Sequence, residues 1–436
     1  MSQMTPSSRT EPPSDEFRRG WPVVLACFCT ATFAWGFGFY GKSVYVGVLH
    51  QTRGWPLSTI TSATTVYYLA GAALLIHVRH AIRVLGPRLL LLSGALILGA
   101  GTIGFSRSQA PWQLYAWSLL MAVGWAATTV TAIATTLSYW FDRRRGFALK
   151  WALNGASAGG FTIAPLLARV VDRIGLADGV ALMVSASLVL LVPIILLGVG
   201  RVASSGDETA QPISEARTDV DWRPAFAHEM QALRNRQFWT VALPFSLALT
   251  AQVGFIVNQM AFLIPHLGID GAGTSIALTA AAAFAGRSAL ASIIDRLNLR
   301  RACAMSFAWQ SLGLGLMLAM PDSPGALYAG CIVVGLSVGN VVSLPALVIQ
   351  HEFAPGSFGL LVGLSSTVGT LLMAAGPSLF GLAHDLSGGY AASLWLCIGL
   401  QLTASAIVLR AAQSRSPAQR RRGQASRTSG RRLHCR

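Results

Sequence analysis

Charge is what this sequence has least of. Only 11% of its 436 residues are Asp, Glu, Lys or Arg, against about 25% in a soluble globular chain. Too little polar surface remains to cover a water-facing sphere, which excludes soluble enzymes and disordered chains. Acids are scarcer still, 17 against 33 bases, and none falls deep within an apolar run. Lysine occurs twice, at Lys42 and Lys150. Cys27, Cys29, Cys303, Cys331 and Cys397 sit in apolar runs, with neither zinc-site spacing nor a disulfide framework. No glycine-rich phosphate loop with its Lys and Ser/Thr opens a helix, so ATP hydrolysis finds no support. An intramembrane enzyme would need paired acids, histidines or nucleophiles at depth, and the sequence offers none. His77, His80, His266, His351 and His384 stand at run ends or in connections, so no metal and no cofactor is expected.

What the chain has instead is long apolar runs. Hydrophobic residues make up 53% of it, and a membrane-spanning helix needs about 20 in succession. Twelve spans are expected near residues 21–48, 57–78, 88–106, 112–138, 147–170, 179–200, 238–265, 273–294, 302–320, 325–349, 358–383 and 390–410. The expected fold class is an all-α membrane protein, twelve transmembrane helices in two six-helix pseudo-repeats. Its plan is an N-terminal tail (1–20), an N-terminal bundle (21–200), a hydrophilic central loop (201–237), a C-terminal bundle (238–410) and a basic tail (411–436). The apolar run from Trp21 continues to about Leu49, too long for a cleavable signal and so read as an uncleaved first span.

The net charge of +16 is spread over the connections between runs, the pattern of positive-inside topology and not of a nucleic-acid patch. With a cytoplasmic N-terminus, 26 Arg fall inside and four outside, at Arg53, Arg107, Arg169 and Arg173. Both termini are therefore expected in the cytoplasm, in an inner-membrane protein that works as a monomer. The Arg-rich tail is expected to be disordered and drawn to anionic inner-leaflet lipid.

An internal repeat runs at an offset of 212–213 residues. Arg83-Val-Leu-Gly86-Pro-Arg88 lies opposite Asp295-Arg-Leu-Asn298-Leu-Arg300, and Arg145-Gly146-Phe147 opposite Phe358-Gly359-Leu360. Ala164-Pro165 and Asp172-Arg-Ile-Gly175 lie opposite Gly376-Pro377 and Asp385-Leu-Ser-Gly388. Parallel repeats imply a binding site between the halves at mid-depth. The run Gly286-Arg287-(x)7-Asp295-Arg296-(x)3-Arg300 resembles the cytoplasmic loop signature of the major facilitator superfamily, and the resemblance covers residues 20–411. It implies a gating loop at Asp295, Arg296 and Arg300. In the first half, Arg79 and Arg83 stand where that pattern has Gly and Asp.

A narrower resemblance is to the monocarboxylate transporter and oxalate:formate antiporter group. It is carried by Arg19-Gly20-Trp21, and by Trp140-Phe141-(x)-Arg143-Arg144-Arg145-Gly146-(x)-Ala148 followed by Asn154-Gly155. Tyr40-Gly41-Lys42-Ser43 is similar to the first-span segment bearing that group's substrate and proton lysine, and Arg287 matches its substrate arginine. The acid that often precedes this arginine by one turn is Ala283 here. Exchange or facilitated diffusion is therefore as open as proton coupling.

Burial of an ion in hydrocarbon is costly, so an intramembrane charge is a candidate site. Arg287 precedes Asp295 by eight residues, which puts it about 12 Å into its helix. Its planar guanidinium matches a carboxylate and cannot be neutralised. With no acid in the spans to pair with it, the missing anion can be the substrate; backbone carbonyls are the other possible partners. Lys42 lies about 10 Å from the outer end of the first span and can either bind substrate or snorkel to the interface. Lys150, beside Arg143, Arg144 and Arg145, reads as interfacial. Asn258, Gln259, Gln252, Asn340 and Ser343 interrupt apolar runs, as do Tyr67, Tyr68, Trp35, Phe39 and Tyr40 in the first two spans. These can line a pathway or hold helices together. Gly155, Gly159, Gly160, Gly335 and Gly339 are expected at close helix contacts.

The functional expectation is a secondary active or facilitative carrier of small organic anions, most simply monocarboxylates, working by alternating access. Arg287 and Lys42 would hold the anion, with Asn258, Gln259, Asn340 and Tyr40 orienting it and a proton or counter-anion as possible co-substrate. The alternative is an exporter of neutral or anionic amphiphilic drugs or aromatic metabolites.

Overall fold

The structure, a computed structural model, describes residues 13–141, 144–200, 233–293, 297–353 and 357–413. Most of the expected N-terminal tail and central loop, the tail beyond residue 413, Arg143, Asp295 and Arg296 lie outside the described residues. Helices follow one another throughout. In chain order they are α1 (Pro13–Trp35), α2 (Gly41–Arg53), α3 (Leu57–Leu74), α4 (Val78–Ser106), α5 (Pro111–Ala126), α6 (Val130–Leu137), α7 (Arg145–Ala158), α8 (Ala164–Ile174) and α9 (Leu176–Gly198). After the central loop come α10 (Arg236–Ile293), α11 (Leu299–Ala319), α12 (Pro324–Glu352), α13 (Phe358–Ala374), α14 (Gly376–Ser387) and α15 (Tyr390–Gln413).

Among the described residues, nine helical stretches are long and apolar enough to cross a membrane. Two of them, Leu57–Ser106 and Arg236–Leu290, run for 50 and 55 residues. A straight helix of the second length would reach about 80 Å, against about 30 Å of hydrocarbon. Each is broken at a glycine: Gly86 (φ 75°, ψ 161°) inside α4 and Gly268 (φ 69°, ψ 177°) inside α10. Only glycine takes such angles without strain. The expected fifth span, 147–170, falls within α7 and α8, which is helical but not one of the nine.

Two further irregularities shape the N-terminal helices. Between α1 and α2, and between α7 and α8, the chain passes through five residues of wider π-type helix, Gly36–Tyr40 and Gly159–Ile163. Gly41 N–H reaches back five residues to the Gly36 carbonyl, and Ala164 N–H to that of Gly159. The two π-turns face each other. A Cβ at Gly36 would lie 2.7 Å from Ile163, and one at Gly159 would lie 2.7 Å from the Gly36 nitrogen. Gly335 likewise meets the Thr279 carbonyl and Gly339 that of Ala283, so the glycines sit where helix backbones touch, as their positions in apolar runs suggested. A methyl at Gly155 would run into the Phe28 carbonyl oxygen, which is backbone and cannot step aside. Gly155→Ala is therefore expected to cost about 1–3 kcal/mol, read as a lower unfolding temperature of purified protein. An unchanged temperature would contradict this packing.

One apolar core runs through both sets of helices, and a second, built on Phe238, Phe245, Phe307, Leu344 and Val408, is confined to the C-terminal set. Buried glutamines thread that set. Gln310 Nε2 donates to Gln252 Oε1 (2.9 Å), and Gln401 Nε2 donates to Gln310 Oε1 (2.5 Å) and to the Ala248 carbonyl (3.1 Å). Each bond removes a polar group from lipid that would otherwise be unsatisfied.

The named hydrogen bonds joining the N- and C-terminal sets cluster toward the end that carries the 53–57 turn. Met260 N–H donates to Ser43 Oγ (2.9 Å), and Thr65 Oγ1 to the Ala374 carbonyl (2.7 Å). Arg169 Nε donates to Asp270 Oδ1 (2.9 Å). Leu57 and Ser58, at the start of α3, donate their backbone N–H groups to the two oxygens of Asp385 (3.2 and 2.8 Å).

Candidate functional site

The paired π-turns determine which side chains face the C-terminal helices. A π-turn inserts one residue, and so rotates all that follows by about 100°. Tyr40, the last residue of the first turn, is buried with its ring against Gly160 of the second. Ala280 of α10 closes the same contact from the other set. Arg287 lies seven residues beyond Ala280 on the same face of α10, about 10 Å further along. It is exposed, packs its Nε over Gly339 of α12, and lies within electrostatic reach of the Tyr40 hydroxyl. Among the described residues no carboxylate pairs with it.

For Lys42 the structure decides against one of the two arrangements weighed from sequence. It does not snorkel: it is fully buried between α2, α3, α4 and α5. Its Nζ lies 3.4 Å from Met121 Sδ, and 4.4 and 4.3 Å from the ring centres of Tyr67 and Phe105. Of the side chains singled out from sequence, Tyr67 alone is among the named contacts of its ammonium. On α3 and α5, which carry two of these contacts, the Tyr67 and Tyr68 hydroxyls, Thr64 Oγ1 and Ser118 Oγ are buried with no hydrogen-bond partner among the described residues.

Two ring faces and a sulfur compensate a buried ammonium incompletely. Lys42→Met is therefore expected to leave the unfolding temperature unchanged or raise it, while solute uptake falls. A large drop in unfolding temperature with uptake intact would make Lys42 a packing residue.

The amides are more committed. Gln259 Nε2 donates to Ser275 Oγ (3.1 Å) and Thr279 Oγ1 (3.0 Å) and approaches Cys331 Sγ (3.3 Å), tying α10 across its break and to α12. Asn258 Nδ2 donates to the Gly254 carbonyl (2.8 Å), and Asn340 Nδ2 to that of Leu336 (3.2 Å). Asn258 Oδ1, Gln259 Oε1 and Asn340 Oδ1 are buried and have no hydrogen-bond partner among the described residues. The structure thus brings together Tyr40 and Arg287, and leaves Lys42 and the amides in separate surroundings.

Arg300, expected in a gating loop, is 4% exposed at the start of α11. Its Nε and Nη2 donate to Glu352 Oε1 and Oε2 (2.8 and 2.7 Å), and Nη2 also to Thr240 Oγ1 (2.9 Å). That is a lock within the C-terminal set. Sequence reasoning missed Glu352, Gln310 and Gln401; the two glutamines interrupt apolar runs just as Asn258 does, and that signal would have flagged them.

A bundle of apolar helices, broken at glycines and carrying near the meeting point of its two sets a cation with no carboxylate partner among the described residues, defines a multi-pass membrane protein of the carrier type. The chain belongs to the Major Facilitator Superfamily, whose family model matches residues 24–377. It is similar to human monocarboxylate transporter 11 (28% identical, covering 74% of this chain and 68% of that one). It is also similar to bovine monocarboxylate transporter 13 (25%, covering 92% and 91%) and to the Aspergillus niger MFS-type transporter pynF (25%, covering 82% and 81%). Among solved structures, the nucleoside transporter NupG has the same fold at a TM-score of 0.72, 13% identical, covering 90% of this chain and 99% of that one. A bacterial homolog of the human lysosomal transporter Spinster follows at 0.63, 14% identical, covering 91% and 98%. The protein is a transporter of this superfamily.

Proposed function

We propose that the protein carries small organic anions, monocarboxylates foremost, across an inner membrane by alternating access. Arg287 binds the carboxylate and Tyr40 abuts it. Lys42 assists from the N-terminal set, and Asn258, Gln259 and Asn340 accept from solute hydroxyls. The observation that carries this reading is Arg287 itself, a cation beside the meeting point of the two sets with no carboxylate partner among the described residues. The similarity to two monocarboxylate transporters supports it.

The same reading takes the two broken helices as two spans each and α7–α8 as one more, which gives twelve spans in two sets of six. The arginine distribution then puts the 53–57 turn outside. Contacts between the sets cluster there, and Arg287 is exposed, which favours an inward-open state. Substrate that neutralises Arg287 would then shift the inward–outward equilibrium, because it binds the two states unequally. Asp295 and Arg296 remain the proposed gating loop.

The test is counterflow in proteoliposomes with labelled pyruvate, lactate, oxalate and an aromatic carboxylate. Uptake of one of these acids is expected. If folded protein takes up none of them, the second reading gains: export of neutral or anionic amphiphiles. The half-buried rings of Trp35, Phe39 and Trp125, with Trp35 and Trp125 5.0 Å apart, favour it.

A further inference from the structure

The start of α3 is capped by a residue more than three hundred positions away. The first N–H groups of a helix have no partner within it. Here Leu57 and Ser58 donate theirs to Asp385, on the last turn of α14 in the other set, at 3.2 and 2.8 Å. The carboxylate therefore joins the two sets at the end assigned outside, and it is favoured there by the positive end of the α3 dipole. Gly381, one turn earlier on α14, lies so close that a Cβ would be 2.9 Å from Ser58 N. The latch is reachable by water, since the Asp385 side chain is 22% exposed.

The ionisable neighbours are few among the described residues. On α14 itself, His384 Nδ1 lies 2.9 Å from Asp385 Oδ1. From α2, the His50 ring meets that of His384 edge-on at 5.5 Å, while its Nδ1 donates to the Trp55 carbonyl (2.9 Å). Arg53 ends the same helix. From α15, the Tyr390 ring lies 4.3 Å from His384. From α10, His266 packs on Phe262, which packs on Tyr390; His266 itself is 3.9 Å from Asp322. Near the latch α3 and α13 bring no ionisable side chain; Tyr67 and Tyr68 lie more than two turns further along α3.

We propose that Asp385 is a proton-sensitive latch of the outer gate: ionised, it clasps α3 to α14 and keeps the outer end closed, and protonated from outside it releases them. The sign follows from the donors. Both N–H groups need an acceptor, and protonation removes the charge and turns one carboxyl oxygen into a donor facing them. Protonation of His384 acts the other way, because an imidazolium still donates to Asp385 and adds attraction. Acid release is therefore a property of the carboxylate and not of the imidazole. This goes beyond the carboxylate-transport reading and does not depend on it.

The test reads the gate directly and needs no substrate. Spin labels at Gln109→Cys and Gly325→Cys, exposed at the same end on opposite sets, report its opening in full-length protein in nanodiscs. In otherwise wild-type protein the long-distance population is expected to grow as pH falls. Asp385→Asn is expected to raise the open-to-closed ratio about tenfold at neutral pH and to abolish its pH dependence. His384→Gln is expected to keep the acid response. Absence of any acid response in the labelled wild type overturns the proposal even if Asp385→Asn fails to fold. So does a pH response that survives in folded Asp385→Asn, or one that is lost in His384→Gln.

Discussion

Glu352→Gln is expected to destabilise the protein by about 3–5 kcal/mol, the cost of leaving a buried cation without its partner. Arg300 and Glu352 form a two-pronged pair at 2.8 and 2.7 Å, with side chains only 5% and 3% exposed. Water can replace neither partner. The pair also ties three helix ends, because Arg300 opens α11, Glu352 closes α12 and Thr240 lies near the start of α10. The two single variants are expected to differ. Removing the acid leaves a guanidinium that cannot lose its proton, whereas Arg300→Met takes the cation from a carboxylate, a group that can neutralise by gaining one. Glu352→Gln should therefore be the worse, and the Arg300→Met/Glu352→Leu double variant should recover most of the loss. Thermal unfolding of the four proteins in nanodiscs decides it. Equal, small shifts for both single variants would mean that water reaches the pair.

That the chain is built of apolar helices of membrane-spanning length was legible because apolar length is a one-dimensional property. The break after Ala319 and the restart at Pro324 fall where Pro321, Asp322, Ser323, Pro324 and Gly325 interrupt the run. Gly86 and Gly268 fall in the connections expected at 79–87 and 266–272, where Arg79 and Arg83, and His266 and Asp270, interrupt the apolar runs. What sequence could not supply was facing. Lys42 looked able to reach the interface because its depth was counted along a regular helix. The π-turn just before it turns α2 by an extra residue, and its ammonium ends among Met121, Tyr67 and Phe105. Partner choice was hidden for a similar reason. Gln401 and Gln310 are 91 residues apart and Arg300 and Glu352 are 52 apart, separations over which no local spacing rule operates. Arg287 was the exception. It was singled out by depth before any helix was packed, and its part in binding is the proposal above.

That residue carries the second large effect. If Arg287 holds the carboxylate, Arg287→Gln removes one half of a desolvated, charge-assisted pair, a change worth about 2–5 kcal/mol. Counterflow of the transported acid should then fall by about 30-fold or more. Gln keeps hydrogen-bonding capacity and approximate length, so a loss of that size reports charge rather than shape. Arg287→Lys keeps the charge but not the planar fork, and is expected to fall between the two. The packing around the residue is a separate matter: its Nε lies over Gly339, where a Cβ would come within 2.8 Å. Gly339 carries no Cβ, so trimming the side chain to Gln removes no clash, and unfolding temperature should hold while transport fails. This combination separates a binding arginine from one that bonds backbone carbonyls, whose removal would lower stability and spare transport in whatever protein still folds. Counterflow that persists near wild-type rates in folded Arg287→Gln would remove the carboxylate from this position, and with it the main physical reason for an anionic substrate.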